Sequence, residues 1–297
     1  MKPSLKLLSL VILVILPLLF SQCRNNSLRG KTTDSVLVDQ SPDTLNKAIA
    51  IFYKMLLPGE MSQLFEKAGA VYNSGILNPV ERIPLYTTSA KASLNMGVYG
   101  VDLGYAKMFN QTQVSMKYFN AIHDLSKQIG IPEEYFSEGI SYFQNKIVNR
   151  DTITDIANNI FSSAQEYLEK NDREEVTALI ILGGWVEALY VSSTILRENK
   201  QNKAIIDRIA GQKYSLNSLI NYLGNYSKDM TVAKYLLMLK ALKKPYEDVS
   251  IMFDEKSTQM DTIKKTIHSD SYKVEVAPET LDAITSLIKD IRMEIVN

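Results

Sequence analysis

Two acidic side chains stand in largely apolar stretches of this 297-residue sequence. Asp102 lies in "SLNMGVYGVDLGYAKMF", residues 93–109, and Glu187 in "GGWVEALYVS", which begins at Gly183. A carboxylate among apolar residues costs free energy unless it is paired or hydrogen-bonded. Two acids projected from two packed helices would supply a cation site or a general acid–base pair. Tyr99 and Trp185, at matching places in the two segments, would line such a site. The alternative gives each acid a structural task, accepting hydrogen bonds from tyrosines or lysines at the solvent edge. No histidine stands at E-x-x-H spacing, so the structural task is the expectation.

The same two segments carry glycines. A phosphate cradle needs them bunched in a turn between a strand and a helix, and no strand signal precedes Gly97. The spacing G-x-x-G-x-x-x-G instead puts Gly97, Gly100 and Gly104, with Ser93, on one helical stripe. Leu94, Val98, Val101, Tyr105 and Met108 form an apolar stripe beside it. Each mid-helix glycine costs about 1 kcal/mol relative to alanine, a loss that close packing of another backbone can offset. Helix packing is therefore expected at Gly97, Gly100, Gly104, Gly183 and Gly184, ahead of a ligand groove or a phosphate site.

Other chemistry finds little support. His123 and His268 lack partners at metal-ligand spacing and are expected at the surface. No G-x-S-x-G elbow and no H-E-x-x-H motif occurs. No metal, cofactor or catalytic residue is assigned, and a non-enzymatic protein is the expectation. Sixteen tyrosines are present. Those at 135, 142, 214, 222 and 226 are read as boundary residues of a helical core, with a sugar- or peptide-binding platform as the alternative.

These residues need elements to position them, and the chain supplies helices. "SPDTLNKAIAIFYKMLLPG" offers Ser41 as N-cap, Pro42 at the first helical position and an apolar face through Leu45, Ala48, Ile49, Phe52 and Leu56. "TQVSMKYFNAIHDLSKQIGIP" repeats the pattern and stops at Gly130. A further helix starts at Pro132, and others are expected over about 152–170, 173–198, 202–223, 229–243, 246–266 and 279–295. Asp172 with Glu175 resembles a capping box. "YKVEVAP" alternates like a strand but is short, and is read as an extended connector. The expected fold is all-α, a multi-helix bundle or helical-hairpin array. The two glycine-bearing segments, 86 residues apart, pair Gly97 with Gly183, Tyr99 with Trp185 and Leu103 with Leu189. This echo suggests two related halves, 42–150 and 151–297, within one helical domain spanning 42–297.

The N-terminus is of another kind. Lys2 and Lys6 precede Leu7–Phe20, 14 residues that are apolar except for Ser9. Spanning a bilayer takes roughly 20, so residues 1–22 are read as a signal peptide. The only cysteine, Cys23, follows at once. "LFSQC" resembles the lipobox of bacterial lipoproteins, in which the cysteine is lipidated and becomes the mature N-terminus; Gln22 departs from the small residue usual before it. Residues 23–41 then read as a lipidated N-terminus and polar tether, with a reach of roughly 25 Å. Equal numbers of basic and acidic residues, 33 each, speak against a general nucleic-acid binder.

The lipobox-like start, "LNMGVYGVDLGYAKMFNQTQ", "MKYFNAIHDLSKQIGI" and "GGWVEALY" together resemble all-helical lipoproteins of the Bacteroidetes cell envelope, a group with no assigned chemistry. The resemblance implies a cell-envelope location at the outer membrane, facing the periplasm or the surface. Two functions are carried forward. One is a lipid-anchored, non-enzymatic scaffold or binding protein with the membrane, and an envelope protein or polymer, as partners. The other is an envelope enzyme or small-ligand binder whose site lies near Asp102 and Glu187.

Overall fold

The computed structural model describes residue 65 and residues 69–144, 150–198, 202–253, 258–261, 266–269 and 272–297. The expected signal peptide, Cys23, the tether and the helix after Ser41 lie outside the described residues. The described chain is predominantly helical. In order come α1 (Ser89–Met108), α2 (Thr112–Gln128), α3 (Ser137–Gln144), α4 (Arg150–Lys170), α5 (Glu174–Glu198), α6 (Lys203–Ala210), α7 (Lys213–Gly224), α8 (Met230–Glu247) and α9 (Pro278–Val296). Two 3-10 turns, Ser74–Ile76 and Val80–Leu85, precede α1.

Local chemistry sets the helix ends. The Thr88 hydroxyl accepts from the Lys91 N–H at 3.1 Å and opens α1. Asn202 and Asp229 cap α6 and α8 through the Ile205 and Val232 N–H groups. Gly130 adopts φ 75°, so that its N–H reaches the Lys127 carbonyl and the Ile131 N–H reaches that of Ser126, which closes α2. Asn110 closes α1 in the same way, with φ 57°. Asp172, expected to cap α5, instead takes φ 54° and ends α4, its N–H bonding the Glu169 carbonyl. A short acidic side chain tolerates the left-handed region as well as it caps a helix, and sequence spacing does not separate the two uses.

Two expectations fail beyond α8. The 246–266 helix is absent: α8 ends at Glu247, and Ser250–Phe253 (β1) begins a strand. β1 pairs antiparallel with Tyr272–Glu275 (β4), Ile251 opposite Val274, and Thr258–Asp261 (β2) pairs with Thr266–Ser269 (β3). "YKVEVAP" is therefore a paired strand. These segments are rich in Ile, Val, Thr and aromatic residues, which suit a pleated ladder better than a helix. The helix expected over 202–223 is two, broken at Gly211–Gln212.

α5 runs through the core. By length and composition it resembles a membrane span, yet 89% of its most apolar 18-residue window is buried inside the protein. It is a core helix of the unit Val38–Asn297. It crosses α1 at the glycines. A Cβ on Gly97 would collide with the Ile180 carbonyl oxygen and lie 2.7 Å from the Gly184 nitrogen; a Cβ on Gly183 would collide with the Leu94 carbonyl oxygen. The contact is reciprocal, since Ile180 precedes Gly183 by three residues and Leu94 precedes Gly97 by three. The echo in sequence thus coincides with an echo in packing. The expected stripe does not extend further: a Cβ on Gly100 or Gly104 would meet nothing within 4 Å. Close approach is confined to the crossing point, because two straight helices at an angle touch backbone to backbone over about one turn.

Candidate functional site

Helical periodicity puts Asn95, Tyr99 and Asp102 on one side of α1, and all three are buried. Glu187 projects from α5 beyond the glycine crossing. The structure brings the two carboxyls together, each 0% exposed, with a side-chain interaction between them. The expectation that they sit at the solvent edge is corrected. Asp102 is flanked by the buried Val101 and Leu103, and Glu187 by the buried Val186 and Ala188, so both side chains lie inside the core.

A third group completes the cluster. Arg292 of α9 donates from Nε to Glu187 Oε2 at 3.0 Å and from Nη2 to Oε1 at 3.2 Å, a two-pronged pairing. Its guanidinium carbon lies 4.4 Å from the centre of the Tyr190 ring, and its side chain is 12% exposed. Arg292 was not singled out from sequence. Its signal was present: it stands four residues after Ile288 and three before Ile295, both fully buried, and so on the flank of the core stripe of α9.

The segment before α1 caps the cluster. The Asn78 N–H donates to Asp102 Oδ2 at 3.1 Å. The Asn78 side chain donates to the Tyr86 hydroxyl at 3.0 Å and to Asn95 Oδ1 at 3.2 Å, and the Asn78 backbone carbonyl accepts from the Tyr118 hydroxyl of α2 at 3.1 Å. Tyr99 donates to the Pro79 carbonyl at 3.0 Å. Asn95 and Tyr86 in turn reach the carbonyls of Ile295 and Val296 in α9, at 2.9 and 3.3 Å. Asn78, itself 0% exposed, is the node of this network. Nothing in a lone Asn before a proline marks it in sequence, because its partners are Tyr86, eight residues on, and groups of two distant helices, α1 and α2.

Electrostatics follow from burial. Burial pushes the Asp102 carboxyl well above its ordinary value near 3.8, and the neighbouring Glu187 adds to this, against the Asn78 N–H and Arg292. Burial raises Glu187 too, while Arg292 opposes that rise. Tyr99 and Tyr118 are also pushed up by burial, so their hydroxyls stay protonated.

The remaining sequence candidates are structural in geometry. Trp185 is buried and its indole N–H has no acceptor. His123, expected at the surface, packs against Phe136 with ring centres 5.2 Å apart, and burial lowers its pKa. The side chain of His268 lies outside the described residues. Tyr222 is buried, Tyr214 is exposed, and Tyr135 faces Tyr167 at 5.9 Å. Among the described residues, no group of three or more His, Cys, Asp or Glu side chains is placed to hold a metal ion. Comparison with protein-family models, with curated proteins and with solved structures finds no match.

Proposed function

We propose that the chain is a lipid-anchored cell-envelope protein whose helical body is a non-enzymatic scaffold that binds an envelope protein or polymer. The observation that carries the non-enzymatic part is the closure of the acid cluster. Asp102, Glu187, Tyr99 and Trp185 are all buried, and the polar partners of the acids and of Tyr99 come from the chain's own segments. A catalytic group must come within hydrogen-bond reach of the atom it acts on, and a substrate would first have to displace the Asn73–Tyr86 segment. The membrane part rests on the sequence, through the apolar run ending at Phe20 and the lone Cys23 behind it. One acyl chain alone gives only marginal binding, so stable attachment calls for more than one.

The test compares the native chain with Cys23→Ala in membrane and soluble fractions, with cross-linking in intact cells. The native protein is expected in the membrane fraction with a reproducible cross-linked partner, and the variant in the soluble fraction with an unchanged circular-dichroism spectrum. A variant that stays wholly with the membrane would contradict anchoring at Cys23. Absence of any partner for a membrane-bound native chain would contradict the scaffold role.

A further inference from the structure

The cluster of Asp102, Glu187 and Arg292 holds two fully buried acids and one base whose side chain is 12% exposed. With both carboxyls ionised it carries one uncompensated negative charge, a costly arrangement in a protein interior. A single proton removes it. The hydrogen bonds show where that proton belongs. Both oxygens of Glu187 already accept from Arg292, and Asp102 Oδ2 accepts from the Asn78 N–H. Asp102 Oδ1 is buried, and no donor among the described residues reaches it. The side chain that interacts with Asp102 is that of Glu187, which as a carboxylate can only accept. A proton on Asp102 Oδ1, donated to Glu187, satisfies the orphan atom and neutralises the cluster together.

We propose that Asp102 and Glu187 form a buried proton-binding site, in which one proton shared by the two carboxyls holds the Asn73–Tyr86 segment against the helical core and its loss loosens that segment. Asp102 touches the segment through Asn78, whose N–H, carbonyl and side chain are all bonded to core groups. The acids stand inside α1 and α5, which the glycine crossing locks together. Arg292 also donates to the Ile76 carbonyl at 3.5 Å, so its reorientation toward a second carboxylate would pull on the same segment. Two 3-10 turns hold less backbone than a long helix, and repulsion between the carboxylates is relieved there first.

The groups facing Asp102 are Tyr72, just before the segment, Asn78 within it, Tyr99 on α1, Tyr118 on α2, Glu187 on α5 and Arg292 on α9. The tyrosines are raised and stay neutral, and Arg292 stays charged, which leaves the acid pair to titrate. In the unfolded chain Asp102 loses its proton near 3.8, whereas in the folded chain it holds the proton to higher pH. Its contribution to stability is therefore complete below the ordinary carboxylate range and is lost as pH rises through the folded value. His123, lowered by burial, acts in the opposite sense, so the native protein must be compared with Asp102→Asn. Asparagine keeps the shape and a donor toward Glu187 but has no proton to lose.

The experiment is urea unfolding of the full chain at several pH values from about 5 to about 9, read by the fluorescence of Trp185, the only tryptophan. The folding constant of the native protein relative to Asp102→Asn is expected to fall by up to about tenfold per pH unit within the titration window. Trypsin cleavage after Arg82, in the same segment, is expected to rise with pH in the native protein alone. Should Asp102→Asn fail to fold, infrared spectroscopy of the native protein decides: a protonated-carboxyl band at neutral pH that vanishes on alkalinisation supports the site. Parallel pH profiles for the two proteins, or absence of that band from the native protein, would overturn the proposal. Cleavage after Arg82 that ignores pH would overturn the coupling to the segment.

Discussion

At the scale of single residues, two glycines in one helix have opposite duties. Gly97 leaves room for the Ile180 carbonyl oxygen, whereas Gly100 meets nothing within 4 Å. Gly97→Ala should therefore destabilise by about 1–3 kcal/mol through overpacking against a backbone that cannot yield. Gly100→Ala should stabilise by about 0.4–1 kcal/mol through lower unfolded-state entropy. Thermal or urea unfolding of the two variants checks both, and equal losses at the two sites would contradict the crossing geometry. The acid pair gives a second case. Arg292→Met removes both donors to Glu187 and leaves a buried carboxylate without its cation, at an expected loss of about 3–5 kcal/mol. A variant as stable as the native protein would show that the pair does not lock α5 to α9. Sequence pointed to Asp102 and Glu187 because acids in apolar helices are conspicuous. It passed over Arg292 because a single arginine on the flank of a core stripe looks like a solvated residue until its helix is docked.

At the scale of elements, the helices were legible where the apolar period was long and the ends were marked. α2 and α5 fall within two residues of their expected bounds. Legibility failed where two periods fit the same residues. Val249, Met252 and Phe253, and again Met260, Ile263 and Ile267, stand at i,i+3 and i,i+4 spacing, yet pairing of 250–253 with 272–275 decides for strands. Pairing is a long-range fact that a local window does not contain. The same holds for the 3-10 turns before α1, whose place is fixed by Asn78 and its four polar contacts. Asn78→Ala removes the donor from Tyr86 and the one to Asn95 and leaves buried polar atoms unmatched, at about 1–3 kcal/mol for each orphaned group. The expected outcome is faster trypsin cleavage after Arg82 with little change in helical content. Loss of helical content in step with cleavage would mean that the segment and the bundle are one cooperative unit.

At the scale of the whole molecule, the described residues form a helical body tied together by a reciprocal glycine crossing and a buried acid pair held by Arg292. The echo between 97–106 and 183–192 is read as one helix-packing solution used twice in the chain. The proposed anchoring at Cys23 is tested most directly by mass spectrometry of the N-terminal peptide of the membrane-extracted protein. The account predicts a peptide that begins at Cys23 and carries lipid. A peptide with unmodified Cys23, still joined to residues 1–22, would contradict it.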